Sequence, residues 1–211
     1  MTSAAADVFI LRHGTTALNE EGRLVSSTDA PLSEAGRLAA AETGRALRDV
    51  PFHSVLTSPA RRALETVEAV LSARREPIEF SVEPLLAEVS FGRFEGLTRA
   101  EIEESGVATE FRAWEAGSAG GDAEGLAEAS ERARAAMNVV EAAPRPVLAV
   151  THGVFARVLV VTSVLGLPAH AYRRLQLDNA GWAELSWGSG FPRLVRLNSL
   201  LRRRSDDDLV R

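Results

Sequence analysis

The 211-residue chain contains no cysteine and no lysine. The first absence excludes disulfides, thiolate nucleophiles and thiolate metal sites together. The second excludes a P-loop lysine, Schiff-base chemistry and pyridoxal catalysis. All 24 basic side chains are therefore arginine, whose guanidinium forks suit carboxylate and phosphate. Histidine is scarce, at four, so two histidines in like settings stand out. Long apolar runs are also missing: Val154–Leu167 contains Arg157 and is too short to span a bilayer. Residues 1–7 carry no basic region before the short run Val8–Leu11, which is not a signal-peptide pattern. The net charge of −5 disfavours nucleic acid as a partner. The one basic cluster, Arg202–Arg204, is followed by Asp206–Asp208 and reads as a solvated tail. Together these features predict a cytoplasmic chain with no membrane and no nucleic-acid partner.

What is present is an ordinary globular balance, 45% apolar and 25% charged, in a length that suits one domain. Short apolar runs alternate with helical patterns, which predicts an α/β fold. Val8–Leu11, Ser54–Leu56, Ile78–Val82, Val147–Thr151, Trp182–Trp187 and Leu194–Leu197 read as strands. Ser33 reads as the N-cap of a helix to about Arg48. Ser58-Pro59 reads as a cap with proline at the first helical position, ahead of an apolar stripe from Ala60 to Leu71. A long helix is predicted over about 123–142, and another from Gly153 to about Leu165. Ahead of the long helix, 88–125 weakens into short helices and glycine-rich loop, an insertion beside the sheet within a single domain spanning 1–211.

Two stretches share one logic. "VFILRHG" and "VLAVTHG" each end an apolar strand in His-Gly. An Arg-His-Gly triplet alone would arise in roughly 3% of shuffled chains, too often to mean much by itself. Two parallel strands ending this way, however, would set His13 and His152 together at the carboxyl edge of a sheet, where α/β proteins bind ligands. His53 and His170 sit in polar or loop-like surroundings and read as solvated. No pair has the i,i+4 spacing of a zinc site, no H-E-x-x-H occurs, and no G-x-S-x-G elbow supports a serine triad. Phosphoryl chemistry fits: neutral imidazole is a nucleophile toward phosphorus, and guanidiniums neutralise the equatorial oxygens.

Five stretches, in order, resemble the motifs of the histidine phosphatase superfamily, the group that includes cofactor-dependent phosphoglycerate mutase. They are "LRHGTTALNEEGR", "DAPLSEAGRLAA", "LTSPARRALETVEAV", "LLAEVSFGRFEGLT" and "AVTHGVFAR". The resemblance implies a three-layer α/β/α sandwich with a mostly parallel central sheet. It implies that His13 is the nucleophile that becomes phosphohistidine, with Arg12, Arg62 and His152 around the phosphoryl group. Glu88 matches the glutamate that protonates the leaving oxygen, and its apolar neighbours would desolvate it. Thr16, Asn19, Gly153 and Val154 match positions lining the substrate pocket. Helical phase does not choose between Arg61 and Arg62; the family pattern selects Arg62. Glu124 also resembles a family acidic position, although a charge at a helix start accounts for it equally.

Thr15, Leu18, Val25-Ser26 and Val154 depart from the mutase pattern and point to a simple phosphatase. The expected activity is metal-independent phosphomonoester hydrolysis of a small phosphorylated metabolite, with no cofactor and room for a homodimer. The alternatives are a cofactor-dependent phosphoglycerate mutase and a non-catalytic phosphate-binding protein of the same fold.

Overall fold

The computed structural model describes residues 7–118, 121–187 and 190–199; the tail at 202–208 lies outside them. Six strands form one sheet: β1 (Val8–Arg12), β2 (Ser54–Thr57), β3 (Ser81–Val82), β4 (Val147–Thr151), β5 (Trp182–Trp187) and β6 (Pro192–Ser199). Their order is β3-β2-β4-β1-β5-β6. The first four run parallel, while β5 pairs antiparallel with both β1 and β6. β1 and β4 are immediate neighbours, with Arg12 opposite Thr151.

Alternation along the strands builds a core on each face, as a two-residue period requires. Val8 and Ile10, with Val147, Ala149 and Leu185, join one cluster containing α6 (Leu126–Ala142) and α7 (Gly153–Leu159). Phe9 and Leu11, with Leu148 and Val150, join a second cluster. That cluster holds Leu47 of α2 (Glu34–Leu47) and Ala63, Val67 and Val70 of α3 (Arg61–Leu71). The result is a three-layer α/β/α sandwich with a mostly parallel sheet. The 88–125 segment contains α4 (Arg99–Glu104) and α5 (Ala108–Glu115). Its Phe91, Phe94, Phe111 and Trp114 belong to the same core as α6 and α7. Among the described residues no helix is long and apolar enough to cross a membrane.

The elements differ from the sequence reading mainly at their ends. A short helix, α1 (Ala17–Glu20), follows the first histidine and is closed by a capping box between Thr16 and Asn19. It carries no apolar stripe, hence no periodic signal. Ser33 caps α2 as expected, accepting from Gly36 N. Ser58 does not cap α3: the N-cap is Ala60, with no side-chain cap bond, and Pro59 lies outside the helix. The Ser58 hydroxyl is instead committed to His152. β3 keeps only two residues of the expected Ile78–Val82 strand. α6 begins at Leu126, where the Glu128 carboxylate accepts from Gly125 N, and α7 passes into a π turn over Val160–Val164.

Candidate active site

The site lies where β1 and β4 end. Their adjacency brings the two imidazoles together, with ring centroids 5.0 Å apart and planes at 61°. Both are buried; His53 and His170 are exposed. His13 Nδ1 lies 2.7 Å from the carbonyl oxygen of Gly14. A carbonyl can only accept, so Nδ1 carries the proton and Nε2 keeps its lone pair. Burial pushes the His13 pKa well below its ordinary value, and the Arg12 and Arg62 guanidiniums push it further. The ring is therefore a neutral base at pH 7. The His152 pKa is lowered in the same direction by burial, then by His13, Arg62, Arg12 and Arg132. His152 Nε2 is 2.6 Å from Ser58 Oγ, and Ser58 Oγ accepts from Ala60 N at 3.3 Å.

Two close backbone approaches make the turn after His13 possible. A Cβ on Gly14 would stand 2.7 Å from Gly36 O, and one on Gly36 would stand 2.0 Å from Thr15 O. Only glycines let the start of α2 lie against this turn. Gly14 N also donates to Thr66 Oγ1 at 2.9 Å, fixing the turn to α3. On the other side, Ala180 N donates to the carbonyls of Arg12 and His13, and Asn179 Nδ2 donates to His13 O at 3.1 Å.

The arginines are held from behind. Arg12 Nη1 donates to Leu177 O at 2.8 Å. Arg62, 1% exposed, donates from Nη1 to Thr28 O (3.1 Å) and from Nη2 to Ser26 O (3.0 Å) and Val25 O (3.4 Å). Its neighbour Arg61 has a side chain 55% exposed and pairs with Glu65 on the surface. Helical position thus separates the two arginines that sequence phase left equal. Among the described residues, four buried side-chain polar atoms have no hydrogen-bond partner. Three of them are Arg12 Nε, Arg62 Nε and His152 Nδ1. Buried polar atoms are rarely left unpaired, and these three belong to side chains beside His13: the two arginines whose charges act on it and the imidazole 5.0 Å from it.

Glu88 sits at the start of α7. Its Oε1 accepts from Phe155 N (2.8 Å) and Val89 N (2.9 Å), and its Oε2 from Val154 N (3.1 Å). A carboxylate is well placed at a helix start, where amide N–H groups lack intrahelical partners. Gly153 has a steric role: a Cβ there would stand 2.9 Å from Arg12 Nε. Val154 is buried, and its amide is spent on Glu88. Thr16 and Asn19 follow His13 as the N-cap and third residue of α1. The Thr16 hydroxyl accepts from Asn19 N, while Asn19 Oδ1 accepts from Thr16 N and Asn179 Nδ2. Among the described residues no group of three or more histidine, aspartate or glutamate side chains converges to hold a metal ion.

Residues 8–200 match the model of the histidine phosphatase superfamily (branch 1). The chain belongs to the histidine phosphatase superfamily. A relative named acid phosphatase from Mycobacterium tuberculosis is 33% identical over 177 residues, covering 82% of each chain. A probable phosphoglycerate mutase GpmB from Cronobacter sakazakii is 31% identical over 190 residues, covering 85% of this chain and 84% of the relative. Among solved structures, a mycobacterial glucosyl-3-phosphoglycerate phosphatase in complex with VO3 superposes with a TM-score of 0.80 at 28% identity. The match covers 92% of this chain and 100% of the other.

In this histidine phosphatase the fold also brings to the site residues that the sequence does not mark. Arg132, on α6, donates to the carbonyls of Leu85 and Ala87 and, at 3.4 Å, of Glu88. It stacks 4.1 Å over the Phe155 ring and pairs with both oxygens of Glu124. Arg132 therefore ties the 85–88 segment (the Glu88 strap) to α6, and Glu124 is its counter-charge. No local pattern marks Arg132, one arginine among 24. Ser58 and Asn179 carry no local signal for the same reason: each contacts a residue far away in sequence.

Proposed function

We propose that this histidine phosphatase is a metal-independent phosphomonoesterase that works through a phosphohistidine on His13. The observation that carries the reading is the trio of buried, unpartnered nitrogens on Arg12, Arg62 and His152 around a neutral nucleophilic ring. Three unpartnered nitrogens on side chains beside one nucleophile suit a phosphoryl group, because its transition state spreads negative charge over the equatorial oxygens. The vanadate bound by the mycobacterial phosphatase of the same fold supports the reading.

In the first half-reaction His13 Nε2 forms a bond to phosphorus while the ester O–P bond breaks. The Glu88 carboxyl gives its proton to the departing alcohol. Oε2 accepts only one backbone N–H against two at Oε1, which leaves it the more available oxygen for this transfer. Positive charge developing on the imidazole is stabilised by the Nδ1–H bond to Gly14 O. With the Ser58 hydroxyl donating to His152 Nε2, the His152 proton lies on Nδ1, the ring nitrogen without a protein partner, and serves the phosphoryl oxygens. In the second half-reaction water attacks phosphorus, its proton goes to the Glu88 carboxylate, and the N–P bond breaks. The substrate is a small phosphate monoester, and the 88–125 segment forms a wall of the site.

The test is rapid-quench turnover of p-nitrophenyl phosphate in excess EDTA, with mass spectrometry of the trapped protein. The expected result is acid-labile phosphate on His13 in the parent and none in His13→Ala. Activity that disappears with EDTA and returns with a divalent ion would sink the metal-free reading. Phosphoryl transfer to phosphoglycerate that depends on bisphosphoglycerate would favour the mutase named among the relatives.

A further inference from the structure

Behind Arg62 a single carboxylate organises a whole loop. Glu95 accepts from Ser26 N (3.2 Å), Ser26 Oγ (2.6 Å), Ser27 Oγ (2.8 Å), Thr28 N (2.7 Å) and Thr28 Oγ1 (2.7 Å). Burial opposes ionisation, but hydrogen bonds from the Ser26, Thr28 and Ser27 hydroxyls and the Thr28 amide overcome it. They hold the Glu95 carboxyl down at about 2. The same loop presents the carbonyls of Val25, Ser26 and Thr28 to the Arg62 guanidinium. In a trans peptide the N–H and C=O point in opposite directions. The Val25–Ser26 peptide uses both ends, with its N–H on Glu95 and its C=O on Arg62. Both terminal nitrogens of Arg62 are thereby taken up by the loop, and Nε remains the buried donor without a partner.

We propose that Glu95 is a positioning residue for phosphoryl transfer. It grips the 25–28 loop through its donors, so that the loop's carbonyls fix the Arg62 guanidinium with Nε free for the transferring group. Glu95 touches no reacting atom and acts only through Arg62. The proposal rests on the phosphatase reading given above, because it assigns Arg62 Nε to the phosphoryl oxygens.

The test is a double-mutant cycle between E95Q and R62K, read as kcat and KM for p-nitrophenyl phosphate and as the inhibition constant for vanadate. Glutamine keeps the size of the side chain but can accept at only one oxygen. E95Q alone should lower kcat/KM about 10- to 100-fold, the scale of a catalytic group misplaced by a fraction of an ångström to an ångström. Vanadate inhibition should weaken with it. In the R62K background, where no guanidinium remains to be aimed, adding E95Q should change kcat/KM by less than about twofold. Thr28 is exposed, so T28V tests the same grip without burdening the fold. It should cost about threefold in the parent and nothing with R62K. Independent, multiplying losses in both cycles would show that Glu95 only supports the fold, and would overturn the inference. A parent that forms no phosphohistidine would instead overturn the phosphatase reading itself.

Discussion

Lowering the pH from 7 to 5 should destabilise this protein mainly through two side chains, His13 and His152. Burial and the neighbouring guanidiniums push both imidazole pKa values well below the ordinary one. In the unfolded chain the same rings titrate near 6.5. As the pH falls through that value the unfolded state takes up protons that the native state refuses, so stability is present above it and is lost on acidification. The loss between pH 7 and 5 is at most about 2 kcal/mol for each ring, or at most about 4 kcal/mol for the pair. In a chain of this length that lowers Tm on the order of 10 °C. Glu95, whose carboxyl is held down at about 2, follows the opposite case. Its stabilisation is present above its unfolded value and disappears only at pH values more acidic than this scan. The assay is thermal unfolding followed by circular dichroism at half-unit steps, in buffers free of phosphate. The double variant His13→Asn, His152→Asn should lose most of the slope. If its Tm falls with pH as steeply as the parent's, the two rings are not held neutral by the native state, and the nucleophile described above is wrong.

Three further outcomes follow from the geometry. Arg62→Lys should cut kcat/KM by about 10²-fold or more although charge is kept, because one ammonium cannot reach the carbonyls of Ser26 and Thr28 and a phosphoryl oxygen together; greater damage from Arg61→Lys would refute the assignment. Glu88→Gln should spare aryl phosphates and impair alkyl phosphates, since a nitrophenolate leaves without a proton and an alkoxide does not. Equal losses for both ester types in rapid-quench assays would remove Glu88 from the acid role. Gly153→Ala should weaken vanadate inhibition at least about tenfold by driving a methyl group against Arg12 Nε, and unchanged inhibition would show that Arg12 does not hold the anion.

Much of this site is legible in the sequence because its proposed catalytic groups sit at strand ends and in short ordered motifs. Two apolar strands ending in His-Gly imply the pairing of His13 with His152, and the β1–β4 register delivers it. The alternation that buries Val8 and Ile10 on one face and Phe9 and Leu11 on the other is equally visible. Residues that hold the catalytic groups in place are not. Ser58 reads locally as a helix cap, and only the fold shows its hydroxyl against His152. Glu95 and Arg132 are ordinary charges in a charge-rich chain until loop 25–28 and the Glu88 strap come into contact with them. Helix ends shift for a similar reason. α6 starts at Leu126 where Glu128 reaches back to Gly125 N, a bond that periodicity does not weigh.

The neighbouring placement of β1 and β4 also makes catalysis a late event in the life of each molecule. His13 and His152 lie two thirds of the chain apart, and neither strand alone carries more than half of the anion cradle. The loop at 177–181 must then dock before Arg12 and His13 are pinned. Contacts of such long sequence separation form slowly, since loop closure precedes their reward. A nascent or partly unfolded chain therefore has an incomplete phosphoryl site, however much helix it has already formed. Recovered turnover after dilution from denaturant should rise with completion of the sheet and lag the early helical signal. The site thus reports on the closure of the whole sandwich.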